Sequence, residues 1–225
     1  MKRTIIMLAA LASLLPTKAA NIVVNNPDNH AFWGVRATFD YSVSTMVNYT
    51  NAAYSFRPLK AAPGFQLGAI YNLPLVANLY LEPGVNFFYD THKENIYVGT
   101  SITSSQADLS YSRYGVRVPV MVGYHFDVWE NASLKVFTGP EVSYGIGSST
   151  SISYDGNKAD IIGFKPDFYD RVKRFECSWD FGAGITFSNI DISVAGSLGL
   201  LNANTAESSL DYKINRIYVA VGYNF

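Results

Sequence analysis

The sequence predicts an all-β chain: eight antiparallel strands closed into an up-and-down barrel that crosses a membrane. Three observations predict it. Apolar and polar residues alternate with period two in eight stretches, the strand signature. Short and long connections alternate between those stretches, as in a transmembrane barrel with short periplasmic turns and long extracellular loops. Aromatic residues gather at both ends of the apolar face, where the two membrane interfaces would lie.

Composition agrees. Of 225 residues, 48% are hydrophobic, 15% aromatic and 16% charged, against about 25% charge in soluble domains. A net charge of −1 gives no basic surface for nucleic acid. The single cysteine, Cys177, excludes a disulfide framework and multi-cysteine metal motifs. No motif implies a cofactor.

Residues 1–20 read as an export signal and 21–225 as one barrel domain. Lys2 and Arg3 form a positive start, residues 4–15 an apolar run, and Pro16 breaks it before the small residues Ala19 and Ala20, where cleavage is expected. No later stretch suits a membrane helix: residues 192–201 are short and interrupted by Gly196 and Gly199.

The first strand places Trp33, Val35, Ala37, Phe39 and Tyr41 on one face and Gly34, Arg36, Thr38 and Asp40 on the other. The second, from residue 64 to 72, aligns Phe65, Leu67, Ala69 and Tyr71. The third sets Leu79, Leu81, Val85, Phe87 and Tyr89 against Tyr80, Glu82, Gly84, Asn86 and Asp90. The fourth is the clearest, with Tyr114, Val116, Val118, Val120, Val122, Tyr124 and Phe126 opposite Arg113, Gly115, Arg117 and Gly123. The fifth opposes Leu134, Val136, Val142, Tyr144 and Ile146 to Lys135, Gly139, Glu141 and Ser143. The sixth opposes Trp179, Phe181, Ala183, Ile185 and Phe187 to Ser178, Asp180, Gly182, Gly184 and Thr186. The seventh alternates Ile190, Ile192, Val194 and Leu198 with Asp191, Ser193 and Ser197, and the eighth carries Ile217, Val219, Val221, Tyr223 and Phe225 in phase. At roughly 10 to 13 residues, each strand reaches the 9 to 11 needed to cross a bilayer at a tilt.

Long connections are expected near residues 43–63, 91–108, 147–175 and 201–211, and tight ones near 73–77, 128–132 and 188–189. Trp33, Tyr71, Tyr124, Phe126, Phe187, Tyr223 and Phe225 mark the turn end of the apolar face. Phe39, Tyr41, Phe65, Phe87, Tyr89, Tyr114, Tyr144 and Trp179 mark the loop end. Pro83, Pro119 and Pro140 fall inside strands, and a closed barrel has no edge to hide a missing N–H, so bulges or ladder breaks are expected there.

The residues also carry a family resemblance. Arg117-Val118-Pro119-Val120, Gly139-Pro140, Asp180-Phe181-Gly182-Ala183-Gly184 and, more loosely, Gly196-Ser197-Leu198-Gly199-Leu200 with Asn202 resemble the fourth to seventh strands of the PorT-like outer-membrane β-barrel family. The resemblance covers essentially the whole mature chain. The alternating end, Val219, Val221, Tyr223 and Phe225, resembles the C-terminal signal read by the barrel-assembly machinery. Placement in the outer membrane is implied. The expected partners are outer-membrane lipid and lipopolysaccharide, with the assembly machinery and periplasmic chaperones during biogenesis. A monomer that binds no nucleic acid is expected.

By phase, Arg36, Asp40, Glu82, Arg113, Arg117, Glu141, Asp180 and Arg216 point into a lumen that eight strands make just wide enough for side chains to fill. Glu82 and Glu141, on strands flanking the fourth, are expected to pair with Arg117, because an isolated buried charge is costly. Lys135 and Asp191 read as solvated charges near the turns. Of three histidines, His30 precedes the first strand, His92 reads as a loop residue, and His125 points inward near Asp127. No nearby serine completes a nucleophile set. In the longest loop Asp155-Gly156-Asn157 signals a turn, and Pro166 opens a possible short helix through Arg174. The expected role is non-enzymatic, structural or surface contact through the loops with a plugged lumen. A narrow pore is the alternative, and a lipid-modifying enzyme the third reading.

Overall fold

The computed structural model describes residues 30–48, 62–76, 78–100, 103–129, 131–154, 157–159, 167–170, 172–203, 205 and 211–225. The export signal, Asp155-Gly156 and Pro166 lie outside the described residues.

The strands are β1 (Phe32–Asn48), β2 (Ala62–Pro74), β3 (Leu79–Thr100), β4 (Thr103–Trp129), β5 (Ala132–Tyr154), a three-residue β6 (Asn157–Ala159), β7 (Phe175–Phe187), β8 (Ile190–Gly199) and β9 (Asp211–Asn224). Each long strand pairs antiparallel with its neighbours in the order β1-β2-β3-β4-β5-β7-β8-β9, and β9 returns to β1. Gly34 lies opposite Asn224, and the Phe225 N–H donates to the Trp33 carbonyl at 2.8 Å, so the two chain ends seal one ring. This is an eight-stranded barrel, with β6 appended to the outer end of β5.

Turn chemistry keeps the near end tight. Ser188 and Asn189 alone join β7 to β8, with Ser188 at φ 53°, the left-handed conformation that such two-residue hairpins require. The turns are also stitched to their neighbours: the Ser188 N–H donates to the Asn131 carbonyl before β5, and the His125 N–H of β4 to that of Asn78 before β3.

The alternation resolves as the sequence demands. Val35, Phe39, Leu67, Val85, Phe87, Val118, Val136, Val194 and Val221 are exposed on the outer surface, while Arg36, Asp40, Asp90, Arg117, Glu141 and Asp180 are buried inside. A water-soluble barrel has the reverse polarity. Aromatic pairs sit at both rims of the apolar band: Trp33 with Tyr71 at 4.6 Å and Tyr223 with Phe225 at 5.2 Å at the turn end, Phe87 with Tyr114 at 6.3 Å at the loop end.

The three prolines break the ladder without shifting it. The β2–β3 pairing skips the positions around Pro83, β3–β4 those around Gly84 and Pro119, and β4–β5 those around Pro140; the same register resumes beyond each gap. Each gap lies where a ring nitrogen cannot donate. A bulge does occur elsewhere, between Tyr114 and Gly115 against β5.

Three loop assignments are corrected. In the segment expected to loop over residues 91–108, β3 runs to Thr100 and β4 starts at Thr103; β1 likewise runs to Asn48 inside the expected connection 43–63, and β5 to Tyr154, followed by β6, inside that of 147–175. His92 is therefore a strand residue. The apolar alternation marks only the part of a strand that faces lipid. Backbone pairing continues beyond it because Ile96, Tyr97, Val98, Thr100 and Thr103 still favour extended backbone.

Val118 is outward-facing midway along β4, between the aromatic rims. Val118→Arg is expected to destabilise the barrel by about 2 to 4 kcal/mol, the cost of a mid-bilayer arginine. Urea unfolding from phospholipid vesicles measures it, and an unchanged midpoint contradicts the lipid-facing assignment.

Candidate functional site

The chemically richest region among the described residues is the lumen, and period-two alternation builds it: every second residue of eight strands converges on one axis. The polar side chains there form two layers.

The layer near the turns centres on Arg36 of β1. Its guanidinium reaches Glu82 at 3.7 Å and Asp191 at 3.6 Å; Asp191 also holds Lys135 at 2.7 Å and accepts the Thr186 hydroxyl at 3.0 Å. Asn72 donates to Glu82 at 3.3 Å.

The second layer centres on Arg117 of β4, which is 1% exposed. It donates to Asp40 at 2.9 Å and Asp90 at 2.6 Å, and lies 3.8 Å from Glu141. Gln66 donates to Asp40 at 2.7 Å. Arg113 pairs with Asp90 at 3.0 Å and with Glu176. Arg216 pairs with Glu141 and donates to Ser197 at 2.8 Å. Asp180 accepts from the hydroxyls of Tyr218 at 3.0 Å and Ser178 at 3.3 Å. Gly64 makes the central convergence possible, since a Cβ there would collide with both the Asp40 and Asp90 carboxylates.

Aromatic rings separate the cations. The Phe88 ring lies 4.1 Å from the Arg117 guanidinium and 5.4 Å from that of Arg113, whose other side meets Phe168 at 5.3 Å. Desolvated guanidinium–ring contacts of this kind contribute about 2 kcal/mol.

Phe168 comes from the connection between β5 and β7. A single 3-10 turn, Phe168–Asp170, enters the barrel mouth and buries Phe168, Tyr169 and Val172. Phe168 stacks on His92 at 5.1 Å and meets Tyr111 edge-on at 5.7 Å. The cap is tied on three sides: Arg174 O accepts from Gly145 N–H, Ala203 O from Lys173 N–H, and Asp170 O from the Thr205 hydroxyl. Asp167 starts the turn. Its hydrogen bond from the Ser148 hydroxyl, with the Tyr169 N–H and nearby Arg174, holds its carboxyl below the usual range against a small burial cost. Burial pushes the Tyr169 phenol up to about 12, so the cap keeps its charge state across ordinary pH. A cavity of about 10 Å³ lies between Glu176, Ser178, Ala203, Ile214 and Arg216, room for one water.

All eight charged residues expected in the lumen are there, but their pairing differs in one respect. Glu82 pairs with Arg36, not Arg117, because Glu82 lies opposite Met121 in register, four residues and roughly 13 Å along β4 from Arg117. Asp90 takes the place expected of it. Lys135 and Asp191 are buried and ion-paired rather than solvated. Asp90, Lys135 and Asp191 share the inward phase, so alternation alone could have found them. Glu176 also falls in the inward phase of Ser178 and Asp180, just ahead of the expected strand; Phe168 had no such signal. Among the described residues no cluster of metal-ligand type occurs.

The sequence matches the family described as outer membrane protein beta-barrel domain over residues 21–204. The chain belongs to that family. It is thus an outer-membrane barrel, as its apolar exterior and closed ring require. Comparison with curated proteins finds no match. Among solved structures, the attachment invasion locus protein Ail of Yersinia pestis, in complex with the heparin analogue sucrose octasulfate, is 16% identical, with 87% of this chain and 99% of that one covered and a TM-score of 0.40. Neisserial surface protein A is 14% identical with the same coverages and a TM-score of 0.41. LpxR from Salmonella typhimurium is 10% identical, covering 85% and 100%, at 0.33.

Arg117→Ala leaves Asp40 and Asp90 buried without their shared cation. It is expected to cost about 3 to 5 kcal/mol in vesicle unfolding, with most of the loss recovered by Arg117→Met combined with Asp40→Asn, since Asp90 keeps Arg113 as its partner. A neutral single variant contradicts the network's role. Gly64→Ala is expected to destabilise the same layer, read by the same unfolding measurement.

Proposed function

We propose that this protein is a closed, non-enzymatic outer-membrane barrel that works through its extracellular face rather than through its lumen. The observation that carries the reading is the lumen itself: two ion-paired layers around Arg36 and Arg117, roofed by Phe168. In an eight-stranded barrel side chains already fill the interior. Here Arg36, Arg113, Arg117, Lys135 and Arg216 are each held by a buried carboxylate, which suits a plug. His92 and His125 pack on Phe168 and Tyr80, which supports a non-enzymatic role.

The partners follow from this placement: outer-membrane lipid with lipopolysaccharide, and the assembly machinery and chaperones during biogenesis, with Val219, Val221, Tyr223 and Phe225 as the assembly signal. All four are exposed on the outer surface of β9 and its end. The export signal is residues 1–20, cleaved near Ala19 or Ala20, and the mature barrel is a monomer. The motifs around Pro119, Pro140 and Gly182 support a PorT-like affiliation. The second reading is a narrow ion or solute pore, favoured by the charged lining of the lumen.

Single-channel recording of the refolded protein in a planar bilayer tests the choice. The folded barrel is expected to be silent, and Phe168→Ala also, because the two ion-paired layers remain beneath the cap. Discrete, ion-selective steps from the wild type overturn the closed reading. Steps from Phe168→Ala alone make the cap the true closure.

A further inference from the structure

One buried titratable group takes no part in the ion-paired layers. His92 stands on β3 two residues past Asp90, beyond the Tyr89–Tyr114 rim on its loop side. It is 1% exposed, and neither ring nitrogen has a hydrogen-bond partner among the described residues. A buried imidazole without partners forfeits the hydration it has in water, so an apolar ring would suit simple packing better. The Phe168 ring of the cap lies over the imidazole at 5.1 Å, the two planes 23° apart. The same ring lies 5.3 Å from the Arg113 guanidinium.

Charged and titratable groups surround it from each neighbouring element. Asp90 lies on its own strand, and Tyr111, Arg113 and Arg117 lie on β4. Glu176 of β7 is the second partner of Arg113, and Tyr169 follows Phe168 in the cap. Burial, and after it the Arg113 guanidinium with a smaller push from Arg117, hold the imidazole down at about 3 against the pull of Asp90. Hydrating the ring requires lifting Phe168, and a hydrated histidine takes up its proton near about pH 6.5. The capped state therefore binds fewer protons than the uncapped one. Its advantage is complete above about pH 6.5 and falls tenfold with each unit below, until about pH 3. Asp167 stays ionised below the usual carboxylate range and Tyr169 stays neutral, so neither cap residue changes charge between pH 7.5 and pH 4.5.

We propose that His92 is the acid sensor of the cap: its protonation drives Phe168 out of the mouth and uncovers Tyr111 and Arg113 to the external medium. The cap is a single 3-10 turn, in which the Asp170 N–H donates to the Asp167 carbonyl at 3.2 Å and the Val172 N–H to that of Phe168 at 3.1 Å. It meets the wall through side chains and individual hydrogen bonds, such as that from the Thr205 hydroxyl to the Asp170 carbonyl, rather than through a strand ladder. The turn can thus lift while the ring of strands stays closed. The layers around Arg36 and Arg117 lie deeper and remain in place, so the sensor goes beyond the closed-barrel reading and does not depend on it.

Hydrogen exchange of the full chain, refolded in phosphatidylcholine nanodiscs, tests the sensor at the Asp170 and Val172 amides after correction for the intrinsic pH dependence of exchange. Wild-type protection at both is expected to fall about 100-fold between pH 7.5 and pH 4.5, while the Ala183 and Val194 amides of β7 and β8 keep theirs. His92→Gln is expected to hold cap protection constant over the same range. Should that variant fold poorly, His92→Phe, whose ring still stacks on Phe168, provides the same comparison. Wild-type protection that ignores pH, or an equal fall in the His92 variants, overturns the proposal. So does a fall shared by Ala183 and Val194, which reports the whole barrel loosening rather than the cap lifting.

Discussion

A backbone in hydrocarbon has no water to pair with, and each unpaired N–H or C=O there costs several kcal/mol. Ring closure follows from that constraint. The β1–β9 pairing joins Gly34 to Asn224 across nearly the whole chain, so no edge strand is left in the lipid. The same constraint explains why the three prolines are accommodated as they are. Gaps at Pro83, Pro119 and Pro140 remove ladder bonds but leave the register unchanged on either side. A slip by one residue would turn every valine of β4 inward and its arginines toward lipid.

Closure then dictates the interior. A ring of eight strands leaves space for side chains, and the faces not used for lipid bring in Arg36, Arg113, Arg117, Lys135 and Arg216 with their carboxylates. These charges lie where water is scarce, so they are tolerated only as pairs. The geometry shows this in the sharing of Asp90 between Arg113 and Arg117, and of Asp191 between Arg36 and Lys135. Phe88 fills the space between two guanidiniums that would otherwise repel. The side chains that neutralise one another are also those that occupy the lumen.

Beyond the membrane the constraints relax, and the structure takes liberties there that a lipid-facing wall does not allow. β3, β4 and β5 run past the rim, and the turn after β6 drops Phe168 back into the mouth. The loop end is therefore a sheet whose inner side is roofed by Phe168.

Alternation and connection lengths by themselves determined the class of fold, the number of long strands, their lipid-facing residues and the inward set from Arg36 to Arg216. Such patterns are legible because a period of two is local and lipid enforces it at every position. The partners of those inward charges were not legible. Whether Glu82 meets Arg36 or Arg117 depends on the stagger between strands, which alternation does not encode. Nor could the burial of Lys135 and Asp191 be judged from their nearness to a turn, since it depends on how deep the opposite wall reaches. The cap was hidden for the same reason: Phe168 lies in a polar segment with no periodicity. Only the tertiary structure decided that it would find His92, Tyr111 and Arg113, brought together from distant positions by the ring, waiting as an aromatic and cationic seat.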